Sequence, residues 1–310
     1  MAKILITGGA GFIGSNLAEK LVGQGQQVAV LDNLATGRLS NLKKIENQIQ
    51  FIQGDICDLD FLKESFKGID FIFHLAALPG VSFSVQNPEQ CNKVNIAGTL
   101  NVLLAARDSK VKRVAIASSS AVYGGAFAIN QEDQKPQPLS PYAVSKITGE
   151  YYANNFYDLF GLETVCLRFF NVFGPNQNPE SEYAAVIPLF ISLALKNEQL
   201  VIFGDGEQSR DFIYVENVVD GMILAMNSPK AAGEVFNLAC GDSITVNRLV
   251  KAISKILDKK ITPVYQATRP GDIYHSKADI TKIKTILGFS PKVNFDDGLT
   301  KAIAHLQKNL

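Results

Sequence analysis

Short apolar runs alternate with longer helical patterns through the first half of this 310-residue chain. The runs cover residues 3–7, 27–32, 49–53, 71–75, 113–118 and 163–169, and helices are predicted between them over 12–24, 89–108 and 142–160. Nearly continuous apolar strands separated by helices are typical of a parallel sheet that is covered on both faces. The alternation therefore predicts a doubly wound α/β fold, in which ligands bind beyond the carboxyl ends of the strands.

The pattern loosens after Asn171, where loops and shorter helices indicate a smaller lobe. Residues 211–214, 216–226 and 234–239 regain the strand and helix pattern, so we expect the chain to return to the main sheet there. No Gly/Ser-rich or Pro-rich linker divides the sequence. We predict one compact α/β body, with a sheet-bearing domain over 1–170 and 211–240 and a smaller C-terminal lobe over 171–210 and 241–310.

The charge balance argues against a polyanionic partner. The chain has 30 Lys and Arg residues against 30 Asp and Glu, so it has no electrostatic preference for nucleic acid or an anionic membrane. Its 46% hydrophobic and 19% charged content is expected of a chain that buries a large core. The longest strongly apolar stretch, 184–195, is too short to cross a bilayer, and the N-terminus lacks the apolar core of a secretory signal. We therefore expect a cytoplasmic protein without nucleic acid or membrane partners.

Cysteine and histidine spacing does not predict a metal site. The four cysteines lie far apart, without a Cys-x-x-Cys pair, and each falls in or beside an apolar segment. Reduced thiols that pack as small hydrophobic groups explain this spacing better than disulfides or metal ligands do. His275 and His305 lack ligand spacing, and His74 is expected to pack at a strand end.

A glycine-rich turn follows the first strand and opens the first helix. Gly8, Gly11 and Gly14 have the spacing that permits a tight turn and lets a pyrophosphate approach the helix N-terminus. An ordinary glycine-rich turn is the alternative, but the strand-to-helix position favours dinucleotide binding. Asp32 ends the second strand, where an acid hydrogen-bonds the adenosine ribose and repels a 2′-phosphate, so NAD is favoured over NADP unless Asp32 only caps a turn. Asp55 follows the third strand and either meets the adenine edge or starts a loop.

Tyr142 and Lys146 lie one turn apart at the start of a predicted helix. Ser140 is a candidate N-cap and Pro141 fits the first helical position, so both side chains share one helix face. A free tyrosine has a pKa near ~10, and lowering it to about 7 requires roughly 4 kcal/mol of preferential phenolate stabilisation. Lys146 and a nicotinamide cation could together supply it. The serine run 118–120 ends the fifth strand, where one hydroxyl can hydrogen-bond the oxygen that Tyr142 deprotonates.

Together these residues resemble the extended short-chain dehydrogenase/reductase family, specifically its NAD-dependent nucleotide-sugar epimerases. The resemblance runs nearly end to end and rests on Thr7-Gly8-Gly9-Ala10-Gly11-Phe12-Ile13-Gly14, His74-Leu75-Ala76-Ala77, Asn95, the serine run, Tyr142-x-x-x-Lys146, Arg168-Phe169-Phe170-Asn171, Gly204-Asp205-Gly206 and Arg210-Asp211-Phe212. It implies a Rossmann-type sheet that binds NAD and a smaller C-terminal substrate-binding lobe that holds a UDP-sugar. It also implies a homodimer, in which helices equivalent to 89–108 and 142–160 form a four-helix bundle between subunits.

The resemblance assigns the catalytic roles to Ser119, Tyr142 and Lys146. The implied NAD contacts are Gly8, Gly11, Phe12, Ile13, Gly14, Asp32, Asn33, Thr36, Gly37, Asp55, Ile56, Leu75, Ala76, Ala77, Asn95, Ser118, Tyr142 and Lys146. The implied substrate contacts are Ser118, Ser119, Ser120, Tyr142, Asn171, Ala185, Val186, Arg210, Arg269, Asp272 and Ser276. Arg210 and Arg269 suit a diphosphate because guanidinium groups bind its oxygens bidentately.

The implied reaction is epimerisation at C4 of a UDP-hexose through a 4-keto sugar. Family dehydratases and decarboxylases place an acidic residue just after the catalytic hydroxyl residue, whereas this chain has Ser120 and Ala121 there. An NAD-binding regulatory protein is the non-enzyme alternative, but such relatives commonly lose the Tyr/Lys pair that this chain keeps.

The hexose is predicted from one position and one segment. Ser276 stands where relatives restricted to plain hexoses carry a bulky tyrosine, and a serine leaves room for an N-acetyl group. Segment 183–188 likewise resembles the N-acetylhexosamine branch, so UDP-GlcNAc and UDP-GalNAc are the predicted pair. UDP-glucose with UDP-galactose, and UDP-glucuronate, stay open as alternatives, because Ser276 could reflect a shifted loop and uronate epimerases also carry small residues nearby.

Overall fold

A seven-stranded parallel sheet forms the centre of the structure, a computed structural model that describes residues 2–125, 127–180, 185–268 and 273–309. The described strands are β1 (Lys3–Thr7), β2 (Gln27–Asp32), β3 (Ile49–Gln53), β4 (Phe71–His74), β5 (Arg113–Ser119), β6 (Glu163–Phe169), β7 (Asn171–Phe173), β8 (Val201–Phe203), β9 (Ser209–Arg210), β10 (Phe212–Tyr214), β11 (Glu234–Leu238), β12 (Ile244–Thr245), β13 (Val264–Gln266) and β14 (His275–Ser276). The sheet order is β11-β6-β5-β4-β1-β2-β3, and all neighbours pair in parallel. The predicted doubly wound α/β fold is therefore confirmed.

Helices cover both faces of this sheet. The described α-helices are α1 (Phe12–Gly23), α2 (Leu59–Ser65), α3 (Val81–Gln86), α4 (Pro88–Cys91), α5 (Gly98–Asp108), α6 (Pro141–Phe160), α7 (Val186–Lys196), α8 (Val215–Asn227), α9 (Val246–Leu257), α10 (Thr281–Leu287) and α11 (Phe295–Asn309). Segments Leu39–Gln48, Ser120–Tyr123 and Pro229–Ala231 are 3₁₀-helical, and Asn92–Ala97 is π-helical. Within the described ranges, no helix has both the length and the apolar character needed to cross a membrane.

Side chains alternate between the two faces of the sheet and produce two apolar cores. Ile4 and Ile6 of β1 pack into one core, which includes residues of α1 and α8. Leu5, between them, packs into the other core with residues of α2, α5 and α6. Because strand residues alternate in direction and both faces are covered, the strands are apolar almost throughout, as the sequence pattern indicated.

The segment predicted as one helix over 89–108 is interrupted in the structure. The π-helical turns Asn92–Ala97 separate α4 from α5. Asn95 is buried within these turns and hydrogen-bonds both backbone groups of Leu78, at 2.8 and 3.0 Å. A π turn changes which side of the helix each following residue faces, and apolar spacing contains no signal for it.

The smaller lobe is built from short sheets and the helices around them. In the described residues β7 pairs with β10, β8 with β13, and β9 with both β12 and β14. The predicted return to the main sheet occurs through β11, which pairs with β6, whereas Phe212–Tyr214 pairs with β7. The first apolar core continues into this lobe through α7, α9 and α11. The division of the chain into two domains stays a prediction.

Candidate active site

The turn between β1 and α1 is packed too tightly for side chains. Gly8 has a φ of +71°, and a Cβ on it would lie 2.7 Å from the Ala76 nitrogen. A Cβ on Gly14 would collide with the Gly8 carbonyl oxygen. Gly11 is the N-cap residue of α1 and provides no side-chain cap, so the first N–H groups of the helix are left to bind a ligand. This turn fits the pyrophosphate of a dinucleotide, because the N–H groups and the helix dipole both favour an anion.

A cavity of about 510 Å³ opens at this turn, and we call it the glycine-turn cavity. Most of the predicted NAD contacts line it: Gly8, Gly11, Phe12, Ile13, Gly14, Asp32, Asn33, Thr36, Asp55, Ile56, Leu75, Ala76, Ala77, Ser118, Tyr142 and Lys146. The structure thus brings together side chains from the carboxyl ends of five strands. Gly37 and Asn95 are the predicted contacts that do not line it.

Asp32 connects the cavity wall to the glycine turn. Its Oδ2 accepts a hydrogen bond from the N–H of Ala10 at 2.9 Å, and its Oδ1 accepts one from the N–H of Leu34 at 2.8 Å. Gly37 packs behind it, since a Cβ there would lie 2.8 Å from Asp32 Oδ1. Gly37 therefore leaves room for the carboxylate, and the negative charge at this end of the cavity opposes a 2′-phosphate.

Asp55 presents a second carboxylate at the same end of the glycine-turn cavity. Burial works against its charge, but hydrogen bonds from the Cys57 N–H and the Asn33 amide hold the pKa of Asp55 below its usual value. Those hydrogen bonds measure 2.8 and 3.1 Å. Asp55 thus starts a loop and also lines the cavity, and its contact with adenine stays a prediction.

The start of α6 places Tyr142 between two cavities. The Ser140 Oγ accepts from the Ala143 N–H at 3.1 Å, and Pro141 occupies the first turn. The N–H of Tyr142 donates to Ser84 Oγ at 3.0 Å. Tyr142 lines the glycine-turn cavity and also a second cavity of about 580 Å³, which we call the lobe cavity because the smaller lobe forms most of its wall.

Ser119 and Lys146 lie beside Tyr142. Lys146 Nζ is 5.7 Å from the centroid of the Tyr142 ring and donates to the Ala117 carbonyl at 2.8 Å. Burial raises the pKa of Tyr142, and its hydrogen bond with Ser119 opposes that rise. Burial also lowers the pKa of Lys146 to about 8. Burial therefore outweighs the Ser119 hydrogen bond in setting the pKa of the phenol, and the lowering expected from the sequence would need a further positive charge, such as that of a nicotinamide.

The three serines of the run have different surroundings. Ser119 Oγ accepts from the Ala121 N–H at 3.1 Å as well as bonding Tyr142. Ser118 is buried and hydrogen-bonds Glu150, although it also borders the glycine-turn cavity. Ser120, which was expected to contact substrate, begins the following 3₁₀ turn and borders neither cavity. Ser119 is therefore the hydroxyl of the run that meets Tyr142.

Asn95 lies behind the cavity wall instead of on it. Besides its bonds to Leu78, its amide donates to Ser145 Oγ at 3.2 Å, and Ser145 donates to the Tyr142 carbonyl at 2.7 Å. Pro79, next to Leu78, lines both cavities. Asn95 thus fixes the loop that separates the two cavities relative to the helix that carries Tyr142.

Several of the predicted substrate contacts line the lobe cavity. Asn171, Ala185, Val186 and Arg210 line it together with Tyr142. The Arg210 guanidinium donates to the carbonyls of Ser209 and Tyr274, at 2.9 and 3.3 Å. These bonds to the backbone hold the guanidinium at the wall, where it can meet an anion.

Other predicted substrate residues lie elsewhere. Ser276 pairs in register with Arg210 between β14 and β9. The pairing buries Ser276, and it borders neither cavity. Arg269 and Asp272, and Tyr183 and Ala184 of segment 183–188, lie outside the described residues.

Some wall residues were not predicted from the sequence. They include Leu78, Pro79 and Gly80 of the separating loop, and Gln90, Lys93 and Val94 around the π turn. The Pro-Gly pair after the fourth strand is a turn signal that could have located the loop. No sequence signal identifies the second group, because the π turn decides which side of the helix those residues face.

His74 packs at a strand end, as expected. Its ring nitrogens lie 2.8 Å from Thr7 Oγ1 and 2.9 Å from Thr99 Oγ1. Burial, with a contribution from the Lys146 charge, lowers the pKa of His74 to about 3. Across the described part of the chain, no group of three or more His, Cys, Asp or Glu residues is arranged to hold a metal ion.

Comparison with known proteins identifies close relatives. The model of the NAD dependent epimerase/dehydratase family matches residues 4–239. The structure of UDP-glucose 4-epimerase from Thermotoga maritima with UDP-glucose is 37% identical, has a TM-score of 0.95 and is covered over 99% of each chain. UDP-N-acetylglucosamine 4-epimerase from Methanobrevibacter ruminantium, in complex with UDP-N-acetylmuramic acid, is 40% identical with a TM-score of 0.95, over 100% of this chain and 99% of that one. UDP-glucuronate 4-epimerase of Thermodesulfobacterium geofontis is 35% identical over 100% of this chain and 98% of its own length.

Tyr142→Phe and Ser119→Ala should each reduce turnover by about 10²-fold or more, because each removes a hydroxyl to which the family resemblance assigns a role in proton transfer. Affinity for the nucleotide part of the substrate should change little, since Arg210 and the lobe are untouched. Steady-state kinetics and calorimetric titration with UDP measure the two quantities. Tyr157→Phe, on the exposed side of the same helix, is the matched control. Near-normal turnover in either variant would remove that residue from the catalytic group.

Proposed function

This chain belongs to the NAD-dependent epimerase/dehydratase family, and we propose that it inverts C4 of a UDP-N-acetylhexosamine, interconverting UDP-GlcNAc and UDP-GalNAc. The observation that carries the proposal is the place of Tyr142 on the walls of both cavities, with Ser119 and Lys146 beside it. A sugar held in the lobe cavity reaches Tyr142 where the two cavities adjoin. Retention of all three groups also favours an enzyme over an NAD-binding regulator.

The glycine-turn cavity suits NAD because α1 begins there without a side-chain cap, and Gly8 and Gly14 permit the close backbone packing of the turn. When bound, NAD supplies the hydride acceptor and donor for C4, so that the sugar passes through a 4-keto form. Tyr142 removes the proton of the C4 hydroxyl and later returns it, while Ser119 hydrogen-bonds the same oxygen. The Lys146 ammonium stabilises the phenolate form of Tyr142. Because the ketone must present its other face before it is reduced, the site should hold the hexose less tightly than the nucleotide.

The distribution of carboxylates favours epimerisation over dehydration. Among the described wall residues, the carboxylates of the glycine-turn cavity are Asp32 and Asp55, and the lobe cavity has none. Asp32 ends β2 and Asp55 follows β3, and both strands lie on the far side of β1 and β4 from the strand that carries Ser119. Dehydration needs an acid or base beside the neighbouring sugar carbons, and these carboxylates belong to the other end of the site.

The lobe cavity favours a neutral hexose over a uronate. Among its described wall residues, Arg210 is the one cation, and most of the others, such as Val172 and Phe173, are apolar. If Arg210 pairs with the diphosphate, the described wall has no second cation to pair with a sugar carboxylate. An N-acetyl group carries a methyl that an apolar wall suits. The 40% identity to a UDP-N-acetylglucosamine 4-epimerase supports the same choice.

Purified protein without added cofactor should interconvert UDP-GlcNAc and UDP-GalNAc, because NAD is retained and regenerated in each cycle. Its kcat/KM should exceed that for UDP-glucose and UDP-galactose, and chromatography of reaction mixtures with each sugar and with UDP-glucuronate measures this. Bound NAD should be recovered unchanged after many turnovers. Activity on UDP-glucuronate alone would reject the acetamido assignment, and stoichiometric release of NADH would reject a redox-neutral cycle.

Ser276→Tyr should lower kcat/KM for the acetamido pair by about 10-fold or more while sparing the plain hexoses. A phenol does not fit the buried volume of a serine, so it must enter neighbouring space, and a ring that enters the lobe cavity would collide with the acetamido group, which the plain hexoses lack. The plain hexoses serve as the internal control, and the melting temperature reports folding. Equal losses for both pairs would remove Ser276 as the residue that sets the preference.

We also propose that the chain forms a homodimer through α6 and the helices beside it. Large apolar side chains are exposed on this side of the molecule: Val85, Leu139, Val144, Tyr151 and Leu159. Leu139 and Leu159 are 75% and 73% exposed. A groove between Ile96 and Val144 runs along the same side. Exposed apolar side chains along a helix and beside an apolar groove are typical of an interface, and a second copy would cover them.

Tyr151→Glu should convert a dimer into a monomer, because burying an unpaired carboxylate at the interface is unfavourable. Light scattering at micromolar concentration measures the mass of the wild type and the variant. Leu39→Glu places the same charge at another exposed apolar position, 52% exposed, away from α6, and should leave the dimer intact. A monomeric wild type would reject the dimer.

A further inference from the structure

The face of α6 that carries Tyr142 and Lys146 continues with Glu150. These residues are spaced four apart, so they follow one another along one side of the helix. Each contacts the end of β5: Tyr142 bonds Ser119, Lys146 Nζ donates to a strand carbonyl at 2.8 Å, and Glu150 accepts from the Ser118 hydroxyl. One face of the helix therefore contacts three consecutive residues, 117–119, at the end of the strand.

Glu150 also forms a buried ion pair with Arg168. The guanidinium donates through Nε at 2.9 Å and through Nη2 at 2.7 Å to the two carboxylate oxygens, and the side chains are 3% and 4% exposed. Arg168 lies in register beside Ser118 on one side and Asn237 on the other. Its Nη1 donates to the Tyr123 hydroxyl at 2.8 Å, and Tyr123 donates to Asn237 at 2.6 Å. A polar row thus crosses β5, β6 and β11 beneath the catalytic residues.

This ion pair is not explained by the steps of the reaction. Neither Glu150 nor Arg168 borders the glycine-turn cavity or the lobe cavity. A buried ion pair is often no more stabilising than apolar residues of similar size, so stability alone is a weak reason for its position. What distinguishes this pair is its contact with Ser118, next to the hydroxyl that meets Tyr142.

We propose that Glu150 is a positioning residue for catalysis. Its contacts with Ser118 and Arg168 fix the end of β5, so that Ser119 stays in contact with Tyr142. Its negative charge favours the protonated form of the Lys146 amine. The proposal rests on the proposed function only in that turnover of a UDP-sugar is one of its readouts.

The charge of Glu150 acts on a lysine that burial makes easier to deprotonate. Burial lowers the pKa of Lys146 to about 8, and Cys91, Cys166 and Glu150, in that order of size, act in the opposite direction. The titratable groups facing Lys146 are Tyr142 and Glu150 of α6, Cys91 of α4, Cys166 of β6 and His74 of β4. His74 stays neutral, because its pKa is about 3. Removing the Glu150 charge therefore lowers the pKa of Lys146 further, and the ammonium is lost at a lower pH.

Glu150→Gln keeps the size of the side chain and removes its charge, whereas Glu150→Asp keeps the charge and shortens the reach. The matched control is Glu163→Gln. Glu163 pairs with Arg113, its register partner on the same two strands, at 2.6 Å, but at the opposite end of the sheet. A double variant, Glu150→Gln with Arg168→Gln, leaves no unpaired buried charge if the single variant folds poorly. Melting temperature and NAD content check each protein.

Glu150→Gln should lower kcat by about 10-fold or more, because a small misplacement of a catalytic group is costly. KM should stay within about threefold, since the lobe cavity is unchanged. The alkaline limb of the kcat profile should move to lower pH. Glu150→Asp should keep the limb near its wild-type position and recover part of kcat, and the double variant should resemble Glu150→Gln. Amide hydrogen exchange over 117–121 should be faster in Glu150→Gln and unchanged in Glu163→Gln.

A folded, NAD-loaded Glu150→Gln with wild-type kcat and pH profile would overturn the proposal. So would equal effects in Glu163→Gln, because the ion pair would then act through general stability. Kinetics are measured on whichever UDP-sugar the wild type epimerises best, so a wrong acetamido assignment leaves the result interpretable. If the wild type epimerises no UDP-sugar, the proposed function fails, and hydrogen exchange over 117–121 decides alone whether Glu150 positions the strand.

Discussion

The packing of α6 against the carboxyl end of β5 is the contact on which the site depends. It brings the phenol of Tyr142 to Ser119 and the ammonium of Lys146 to the Ala117 carbonyl. It also places Tyr142 where the glycine-turn cavity and the lobe cavity adjoin. A cofactor and a sugar can therefore meet at one side chain although separate parts of the chain bind them. Two buried side chains add to this contact. Glu150 joins α6 to Ser118 and Arg168, and Asn95 joins Ser145 of α6 to Leu78.

The electrostatics of this contact oppose the charged forms of both side chains. Burial raises the pKa of Tyr142 and lowers the pKa of Lys146 to about 8, so the same desolvation acts on both groups against their charged forms. The hydrogen bond from Ser119 offsets only part of this effect. In the proposed mechanism, a bound oxidised nicotinamide would supply the further positive charge that favours the phenolate form of Tyr142.

Features that depend on local sequence were predictable, whereas those that depend on tertiary contacts were not. The strands could be predicted from apolar runs because both faces of the sheet are buried. The glycine turn and the start of α6 could each be predicted from a few neighbouring residues. The π turn at Asn95 was missed because it depends on the distant Leu78. Ser276 was placed near the sugar by resemblance, but the pairing of β14 with β9 buries it beside Arg210. Gly37 was expected to meet NAD, which stays a prediction, and the structure adds that Gly37 leaves room for Asp32.

The path of the chain has a consequence for how such a protein can diversify. The backbone leaves the central sheet after β6, rejoins it at β11 and leaves it again, and one apolar core spans the sheet and the smaller lobe. The substrate side is therefore not a module that recombination could exchange through a single junction. New sugar preferences would instead arise by point substitutions on the cavity walls, while the central sheet and α6 are kept unchanged.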